Sequence, residues 1–299
     1  MDEADFLTAL RRLPLHPGAA NLRDDTASLA GLTITTDTIV EGVHFLTTDP
    51  PEDVAWKLLA TNLSDLAAKG ATPEGVLLNY PLSDHGWDSA FLTGLDAALR
   101  HFACPLLGGD TVTLPPGAPR VLTLTALGRD AAAPPRSGAK AGDALWVTGT
   151  IGDAGAGLAI AHGESGPAEL LAAYRRPQPR LAEGRVLAPQ VHAMMDVSDG
   201  LLIDAARMAA ASGLAMTIDL AAVPLSEAYR AFRGGGHAAR IAAATAGDDY
   251  QLLFAAAPAF VPPVPATRIG SFAAGAGLAL TDDGTPIPLP RRLGYEHTA

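Results

Sequence analysis

Residues 32–70 read LTITTDTIVEGVHFLTTDPPEDVAWKLLATNLSDLAAKG and join a strand pattern to a helix pattern within one stretch of chain. The β-branched residues at 32–36 predict a strand that leads into Asp37. Across residues 53–69 leucines recur at helical spacing, and Gly70 is a typical helix stop. A strand followed by a helix is the repeating unit of α/β and α+β folds, so this stretch predicts a fold of that kind.

The same alternation of patterns continues along the chain and predicts two domains. Further strands are predicted at residues 121–127, 144–148, 191–195, 215–218 and 250–255. Residues 129–138 are rich in Ala and Pro and predict a linker, and 299 residues is near the length at which one core divides into two. We therefore predict domains at residues 1–137 and 138–299. Asp283-Gly284 predicts a tight hairpin turn in the second domain.

Composition restricts the possible partners and the cellular compartment. The chain has 32 acidic and 21 basic side chains, and its formal charge of -11 argues against nucleic acid and anionic membranes as partners. Its single cysteine, Cys104, excludes an intramolecular disulfide and a cysteine-ligated zinc site. The acidic start and the lack of a long apolar run predict neither secretion nor membrane insertion. We therefore expect a cytoplasmic protein.

Aspartates concentrate where predicted strands end and loops begin. They occur in the segments Asp24-Asp25, Thr35-Thr36-Asp37, Asn62-Leu63-Ser64-Asp65, Gly108-Gly109-Asp110, Asp196-Val197-Ser198-Asp199 and Gly247-Asp248-Asp249. In open α/β sheets the strand ends face the ligand crevice, so several carboxylates could converge there. Convergence requires cations, because carboxylates at close range repel one another. Mg²⁺, bound by carboxylates together with substrate phosphates, is the cation that this pattern favours.

Each of these segments has a purely structural interpretation when it is taken alone. Gly109-Asp110 is typical of a turn, and Ser198 or Asp199 is typical of a helix N-cap. The glycine-rich residues 149–157 follow a predicted strand and open a helix, a setting in which backbone N–H groups can cradle phosphate, but their spacing differs from the dinucleotide fingerprint. The chain contains no Gly-Lys-Ser/Thr triplet, so a P-loop is absent.

Taken together and in order, these segments resemble the thiamine-monophosphate kinase family. That family belongs to the ATP-binding superfamily that includes aminoimidazole ribonucleotide synthetase and selenophosphate synthetase. The matching segments are residues 24–27, 35–45, 62–71, 108–111, 136–143, 147–153, 176–180, 195–201 and 247–252. The resemblance implies an N-terminal domain with a mixed sheet and helices, which binds metal and ATP and forms a homodimer, and a C-terminal α+β domain.

The resemblance also implies an activity and a set of site residues. The activity is the Mg²⁺-dependent transfer of the ATP γ-phosphate to thiamine monophosphate, with several Mg²⁺ ions bound. By position, the implied metal ligands are Asp25, Thr35, Thr36, Asp37, Asp65, Asp110, Asp196 and Asp199. The implied ATP contacts are Phe102, Gly109, Asp110, Arg136 and Ser198, and those to thiamine monophosphate are His44, Asp248 and Tyr295. No other catalytic residue is expected, because the acceptor phosphate oxygen is already anionic near neutral pH.

Four positions depart from the family pattern. Arg23 stands where a glycine usually precedes the paired aspartates, and Lys69 stands where a methionine is usual. The family's Gly-Glu-Asp-Tyr-Glu is here Gly-Asp-Asp-Tyr-Gln, with Asp248 and Gln251 at the changed positions. We expect Arg23, Asp248 and Gln251 to affect details of substrate binding and attach little importance to Lys69.

Two alternatives stay open on the sequence. A sister enzyme of the selenophosphate synthetase type would carry a reactive N-terminal Cys or selenocysteine, and the hydrogenase-maturation relative would carry a C-terminal Cys; this chain has neither. A catalytically silent nucleotide- or metal-binding protein would keep the same fold and the same carboxylates. Only an assay separates that protein from a kinase.

Overall fold

The structure is a computed structural model and describes residues 3–129 and 132–296. The helices are α1 (Glu3–Leu10), α2 (Pro51–Ala68), α3 (His85–His101), α4 (Asp153–Ala161), α5 (Ala168–Arg175), α6 (Leu181–Leu187), α7 (Leu201–Ser212), α8 (Glu227–Arg233) and α9 (His237–Thr245). The strands are β1 (Ala27–Leu29), β2 (Leu32–Val40), β3 (Thr72–Leu82), β4 (Leu106–Thr113), β5 (Val121–Arg129), β6 (Ala144–Thr148), β7 (Ala193–Asp196), β8 (Ala215–Asp219), β9 (Leu252–Ala256), β10 (Ala266–Ala273), β11 (Gly277–Asp282) and β12 (Thr285–Ile287). None of these described helices is long and apolar enough to cross a membrane.

The strands form two mixed sheets. The first has five strands in the order β1-β2-β5-β3-β4, and the second has seven in the order β12-β11-β8-β10-β6-β9-β7. Strands β3 and β4 pair in parallel, as do β8 and β11, whereas β2 and β5 pair antiparallel. The predicted mixed α/β and α+β architecture is confirmed. The sheets lie on either side of Ser137, and residues 130 and 131 of the predicted linker lie outside the described residues.

Helix α2 lies between the two sheets and positions most of the site described below. The majority of its 18 residues are buried. Leu59 and Leu63 belong to the core of the first sheet, whereas Ala67 packs with Met194 of the second. A Cβ atom at Gly184 in α6 would lie 2.0 Å from the Ala67 carbonyl oxygen, so α6 can approach α2 this closely only with a glycine there. Because most of α2 is buried, its polar residues need partners within the protein, and Lys57 and Ser64 find theirs in the second domain, at Asp248 and Asp196.

The described helices of the first domain cover one face of the first sheet and leave the other face exposed. Leu78 and Leu124 on the covered face are buried in the core with residues of α2 and α3. Leu77 and Val112 lie on the opposite face, where 41% and 48% of their surfaces are exposed. The side chains of a strand alternate between its two faces, so Asn79 of β3 and its register partner Asp110 also belong to the exposed face.

Left-handed residues end α7 and form the turn that was predicted at Asp283-Gly284. Gly213 follows α7 with a φ of 65°, the left-handed conformation that glycine adopts at helix ends. Asp283 and Gly284 connect β11 to β12 with φ values of 54° and 73°. Both central residues of the hairpin are therefore left-handed, as a two-residue turn requires.

Candidate active site

Strand β2 and helix α2 supply the N-terminal half of the site. Thr35 and Asp37 alternate with Thr36 along β2 and face α2. The backbone N–H of Asp37 donates to Oδ1 of Asn62 at 3.1 Å, and the Thr35 hydroxyl donates to Oδ2 of Asp65. These bonds fix the aspartate of the strand and the aspartate of the helix relative to each other.

The end of β7 supplies the C-terminal half. The hydroxyl of Ser64 on α2 donates to Oδ2 of Asp196 at 2.6 Å, and this bond joins the two domains inside the core. Beyond Asp196 the chain turns through Ser198 and Asp199 before α7 begins. Because Ser64 directly precedes Asp65, this bond holds the carboxylate of Asp196 next to Asp65.

A buried aspartate shapes the loop before α7. Oδ2 of Asp204 accepts the backbone N–H groups of Ser198, Asp199 and Gly200 at 3.1, 3.0 and 3.2 Å. Burial, reinforced by the charge of Asp199, raises the pKa of Asp204 to about 7. The predicted N-cap by Ser198 or Asp199 is wrong, because the N-cap position of α7 is Gly200, and no side chain caps the helix there. Ser198 and Asp199 line the two cavities described below.

Three carboxylates meet at the junction of the domains. Ligand oxygens of Asp25, Asp65 and Asp196 all lie within 4.8 Å of one another. Burial, with the charges of Asp37 and Asp196, raises the pKa of Asp65 well above its usual value, and burial raises the pKa of Asp37 and of Asp196 to about 6. Oδ2 of Asp25 is buried without a hydrogen-bond partner. A buried set of oxygen donors with one oxygen unsatisfied fits a hard divalent cation such as Mg²⁺.

Two cavities meet at these carboxylates. The larger, of about 1110 Å³, is lined by Asp24, Asp25, Thr35, Arg136 and the apolar Ile203, among others. The smaller, of about 540 Å³, is lined by His44, Thr61, Asp196, Asp248 and Tyr295, among others. Asp37, Asp65, Ser198 and Asp199 line both cavities. The carboxylates therefore form a shared wall between two spaces, each large enough for a separate small molecule.

Lys69, Arg136 and Arg207 offset part of the negative charge of this wall. Arg136 contacts Oδ1 of Asp25 from the linker side. Lys69 lies 2.5 Å from Oδ1 of Asp24 and 3.7 Å from Oδ2 of Asp25. Arg207 contacts Asp199 at the far side of the larger cavity. Burial lowers the pKa of Arg136, although the carboxylates near it act in the opposite direction.

Comparison with known proteins assigns the chain to a family. The chain matches the AIR synthase related protein, N-terminal domain, over residues 23–129 and the C-terminal domain of the same family over residues 140–282. It is 40% identical over 327 residues to the thiamine-monophosphate kinase of Caulobacter vibrioides, covering 99% of this chain and 90% of that protein. The chain belongs to the thiamine-monophosphate kinase family. The Escherichia coli thiamine-monophosphate kinase is 38% identical over 296 residues, with 90% and 87% covered.

Solved structures agree with membership of the thiamine-monophosphate kinase family. The structure of AaThiL complexed with AMPPCP and TMP has a TM-score of 0.88 to this chain at 29% identity, covering 99% of this chain and 97% of that one. The E. coli hydrogenase maturation protein HypE has a TM-score of 0.71 at 22% identity, which shows a common fold only. The resemblance inferred from the sequence is confirmed.

Most of the residues that the thiamine-monophosphate kinase resemblance implied line the two cavities. They are Asp25, Thr35, Thr36, Asp37, His44, Asp65, Arg136, Asp196, Ser198, Asp199, Asp248 and Tyr295. Thr36 differs from its neighbours, because its side chain points away from α2. Its hydroxyl donates to the Leu124 carbonyl at 3.2 Å and accepts from Thr125 at 3.1 Å. The role of each residue in binding stays a prediction.

Phe102, Gly109 and Asp110 do not join the others within one chain. Gly109 and Asp110 lie on the edge strand β4, and β5 and β3 separate it from β2, a distance of roughly 14 Å at the usual strand spacing. Phe102 follows α3 and packs against Trp56, with ring centroids 4.9 Å apart. The expected convergence of Asp110 with the other carboxylates is therefore wrong for a single chain, because the strand order places it at the far edge of the sheet.

The glycine-rich loop at residues 149–157 is not an open phosphate cradle. The buried carboxylate of Asp249 accepts the backbone N–H groups of Gly152 at 2.7 Å and Ala154 at 3.3 Å. The protein thus supplies its own anion to the start of α4. Burial raises the pKa of Asp249 well above its usual value, and these two hydrogen bonds act in the opposite direction.

Lys57 is a site residue that the sequence analysis missed. Its side chain is 3% exposed, and its ammonium donates to Oδ2 of Asp248 at 2.7 Å and to the His44 carbonyl at 2.9 Å. It also lies 4.1 Å from the centroid of the Tyr174 ring. The available signal was a lysine inside the apolar run Val-Ala-Trp-Lys-Leu-Leu-Ala at residues 54–60, since a buried lysine requires an anionic partner.

The two changed positions of the Gly-Asp-Asp-Tyr-Gln segment have different surroundings. Asp248 lines the smaller cavity in a left-handed conformation, with φ of 70°, and accepts from the Tyr250 hydroxyl at 3.1 Å. Gln251 is buried, and its Oε1 accepts from Thr148 at 3.0 Å and from Arg180 at 2.8 Å. Gln251 therefore links Thr148 and Arg180 inside the protein, and it can affect substrate binding only through residues that it contacts.

Proposed function

We propose that this chain is a thiamine-monophosphate kinase that transfers the γ-phosphate of ATP to thiamine monophosphate, giving thiamine diphosphate and ADP. The observation that carries the proposal is the carboxylate wall shared by two cavities. The larger cavity has Arg136 for phosphate and apolar residues such as Ile203. The smaller has a carboxylate, Asp248, and an aromatic ring, Tyr295, which suit a thiazolium cation joined to an aminopyrimidine.

The residues of the wall have distinct tasks in this proposal. Asp25, Asp65 and Asp196 would hold Mg²⁺, with Asp37 and Asp199 beside them. Bound Mg²⁺ supplies charge neutralisation between the phosphates of the two substrates. Thr35 and Ser64 fix two of the carboxylates, Asp65 and Asp196, through a hydrogen bond to one oxygen of each. No general base is required, because the attacking phosphate oxygen already carries charge.

A direct assay tests the function. The purified protein is incubated with ATP, Mg²⁺ and thiamine monophosphate, and thiamine diphosphate is measured by chromatography. We expect turnover that needs all three components, with no turnover in EDTA. Thiamine in place of thiamine monophosphate is the matched control and should give no product, because it lacks the acceptor phosphate. Absence of thiamine diphosphate from a folded, Mg²⁺-supplied protein would favour the catalytically silent alternative.

We also propose a homodimer formed through the uncovered face of the first sheet. That face exposes Leu77 and Val112, and isolated sheets rarely leave apolar residues uncovered. The predicted ATP contacts that lie away from the cavities all fall within residues 102–110, on or next to the edge strand of this sheet. In a dimer formed through this face, these residues of one protomer would lie closer to the larger cavity of the other. The cytoplasmic location stays a prediction from the composition.

The dimer is tested by sedimentation. We expect a species near twice the chain mass of 30.6 kDa. Val112→Asp places a charge in the proposed interface and should give a folded monomer with weaker ATP binding. Val261→Asp is the matched control, because Val261 is 82% exposed and belongs to the other domain. A wild-type protein that is monomeric at all concentrations would contradict the proposal.

A further inference from the structure

Lys69 is among the most completely buried side chains of the described residues, with 1% of its surface exposed. It lies directly after α2, and its ammonium lies 2.5 Å from Oδ1 of Asp24. The same nitrogen donates to the carbonyl oxygens of Pro134 and Met194, each at 3.2 Å. All three N–H groups of the ammonium therefore have partners.

These partners come from separate parts of the fold. Asp24 belongs to the segment before β1, Pro134 to the connection between the sheets, and Met194 to β7. An ammonium held by three separate segments cannot turn away without breaking buried hydrogen bonds, each of which is costly to leave unmade. Arg136 has no such restriction, since its side chain is 20% exposed and its guanidinium lies at the edge of the larger cavity.

The charge balance around Lys69 is strongly negative. Asp24 and Asp25 lie next to it, and Asp65 and Asp196 complete the carboxylate cluster. Among the described residues, the cations in ion pairs with these four carboxylates are Lys69 and Arg136. If Arg136 is engaged by phosphate, only Lys69 stays with the cluster.

We propose that Lys69 is a resident cation of the metal site, which holds the acidic cluster together when Mg²⁺ is not bound. Its ammonium lies beside Asp24 and 3.7 Å from Oδ2 of Asp25, too far for a hydrogen bond, and that buried oxygen has no hydrogen-bond partner. Lys69 is a positioning residue, since it acts through Asp24 and Asp25. Four crowded carboxylates without Lys69 would need Mg²⁺ to relieve their repulsion. With Lys69 present, the stability of the folded protein depends less on Mg²⁺.

Thermal unfolding of Lys69→Met in EDTA and in Mg²⁺ tests the proposal. Methionine keeps the length of the side chain and removes the charge. We expect the melting temperature in EDTA to fall by about 6–10 °C, because breaking a buried ion pair leaves an uncompensated charge. Mg²⁺ should restore at least half of this loss, so that the Mg²⁺-induced shift is larger in the variant than in the wild type. Lys140→Met, at an exposed lysine, is the matched control and should shift neither value.

A double variant separates a charge effect from simple anchoring of the two carbonyl groups. Lys69→Met with Asp24→Asn removes both partners of the ion pair and should recover most of the melting temperature in EDTA. A double variant as unstable as Lys69→Met, or one that fails to fold, would overturn the proposal, as would a loss that Mg²⁺ does not reduce. The proposal rests on the metal site of the proposed function. Unfolding uses neither ATP nor acceptor, so its outcome is independent of kinase activity.

Discussion

Asp65→Asn should lower kcat by about a thousandfold or more, a loss of ~4 kcal/mol in transition-state stabilisation. Asp65 lies in the wall between the two cavities, and its carboxylate belongs to the cluster with Asp25 and Asp196. Asparagine keeps the shape of the side chain but removes the charge that a metal ion requires. Asp37→Asn should have a similar effect, because Asp37 also lines both cavities. The measurement is steady-state turnover at saturating ATP, acceptor and Mg²⁺.

The stability of the same variant should move in the opposite direction. Burial and two neighbouring carboxylates raise the pKa of Asp65 in the folded protein. Ionised Asp65 therefore destabilises the folded state, and this loss of stability grows as the pH rises above the pKa that Asp65 has in the unfolded chain. In EDTA at pH 7.5 the melting temperature of Asp65→Asn should therefore equal or exceed that of the wild type. Asp96→Asn is the control, because Asp96 pairs with Arg100 on the surface and should affect neither quantity. A kcat above about a tenth of wild type, a loss of only ~1.4 kcal/mol, would rule out the metal-ligand role of Asp65.

Asp248→Asn and Tyr295→Ala should each raise KM for thiamine monophosphate by about tenfold, which corresponds to ~1.4 kcal/mol of binding, with KM for ATP nearly unchanged. Both residues line only the smaller of the two cavities. Asp248→Glu should be tolerated, because it keeps the charge that pairs with Lys57. Steady-state kinetics with each substrate varied in turn gives the result. A selective effect on ATP would mean that the two cavities have been assigned in reverse.

Lys57 provides a second test of the same cavity. Lys57→Met removes the ion pair with Asp248 and the bond to the His44 carbonyl, so KM for thiamine monophosphate should rise by about tenfold. In an Asp248→Asn background the same change should cost less than about threefold, because residues that act through each other are not additive. Additive effects would show that Lys57 acts on the substrate by another route. Lys57→Arg should recover part of the affinity by restoring a cation.

The sequence predicted local elements well where the pattern was strong. The strand at residues 144–148 was predicted with the bounds that the structure has, and the predicted helix at 53–69 corresponds to Pro51–Ala68. Such segments have uniform propensity and clear stop residues, so neighbours in the chain decide them. The cap before α7 was predicted wrongly, because the helix begins after Gly200, which has no side chain to accept the first N–H groups of the helix.

By itself, the sequence determined the fold class, the family and the acidic character of the site, because these depend on composition, periodicity and the order of motifs. Tertiary structure alone decided which carboxylates meet. Asp65 and Asp196 are far apart in the chain yet adjacent, since α2 is packed between both sheets. Asp110 carries the same chemistry but lies at the sheet edge. The burial of Lys57 and Lys69 also could not be predicted from the sequence. A lysine can be buried only beside an anionic partner, and folding alone brings Asp248 to Lys57 and Asp24 to Lys69.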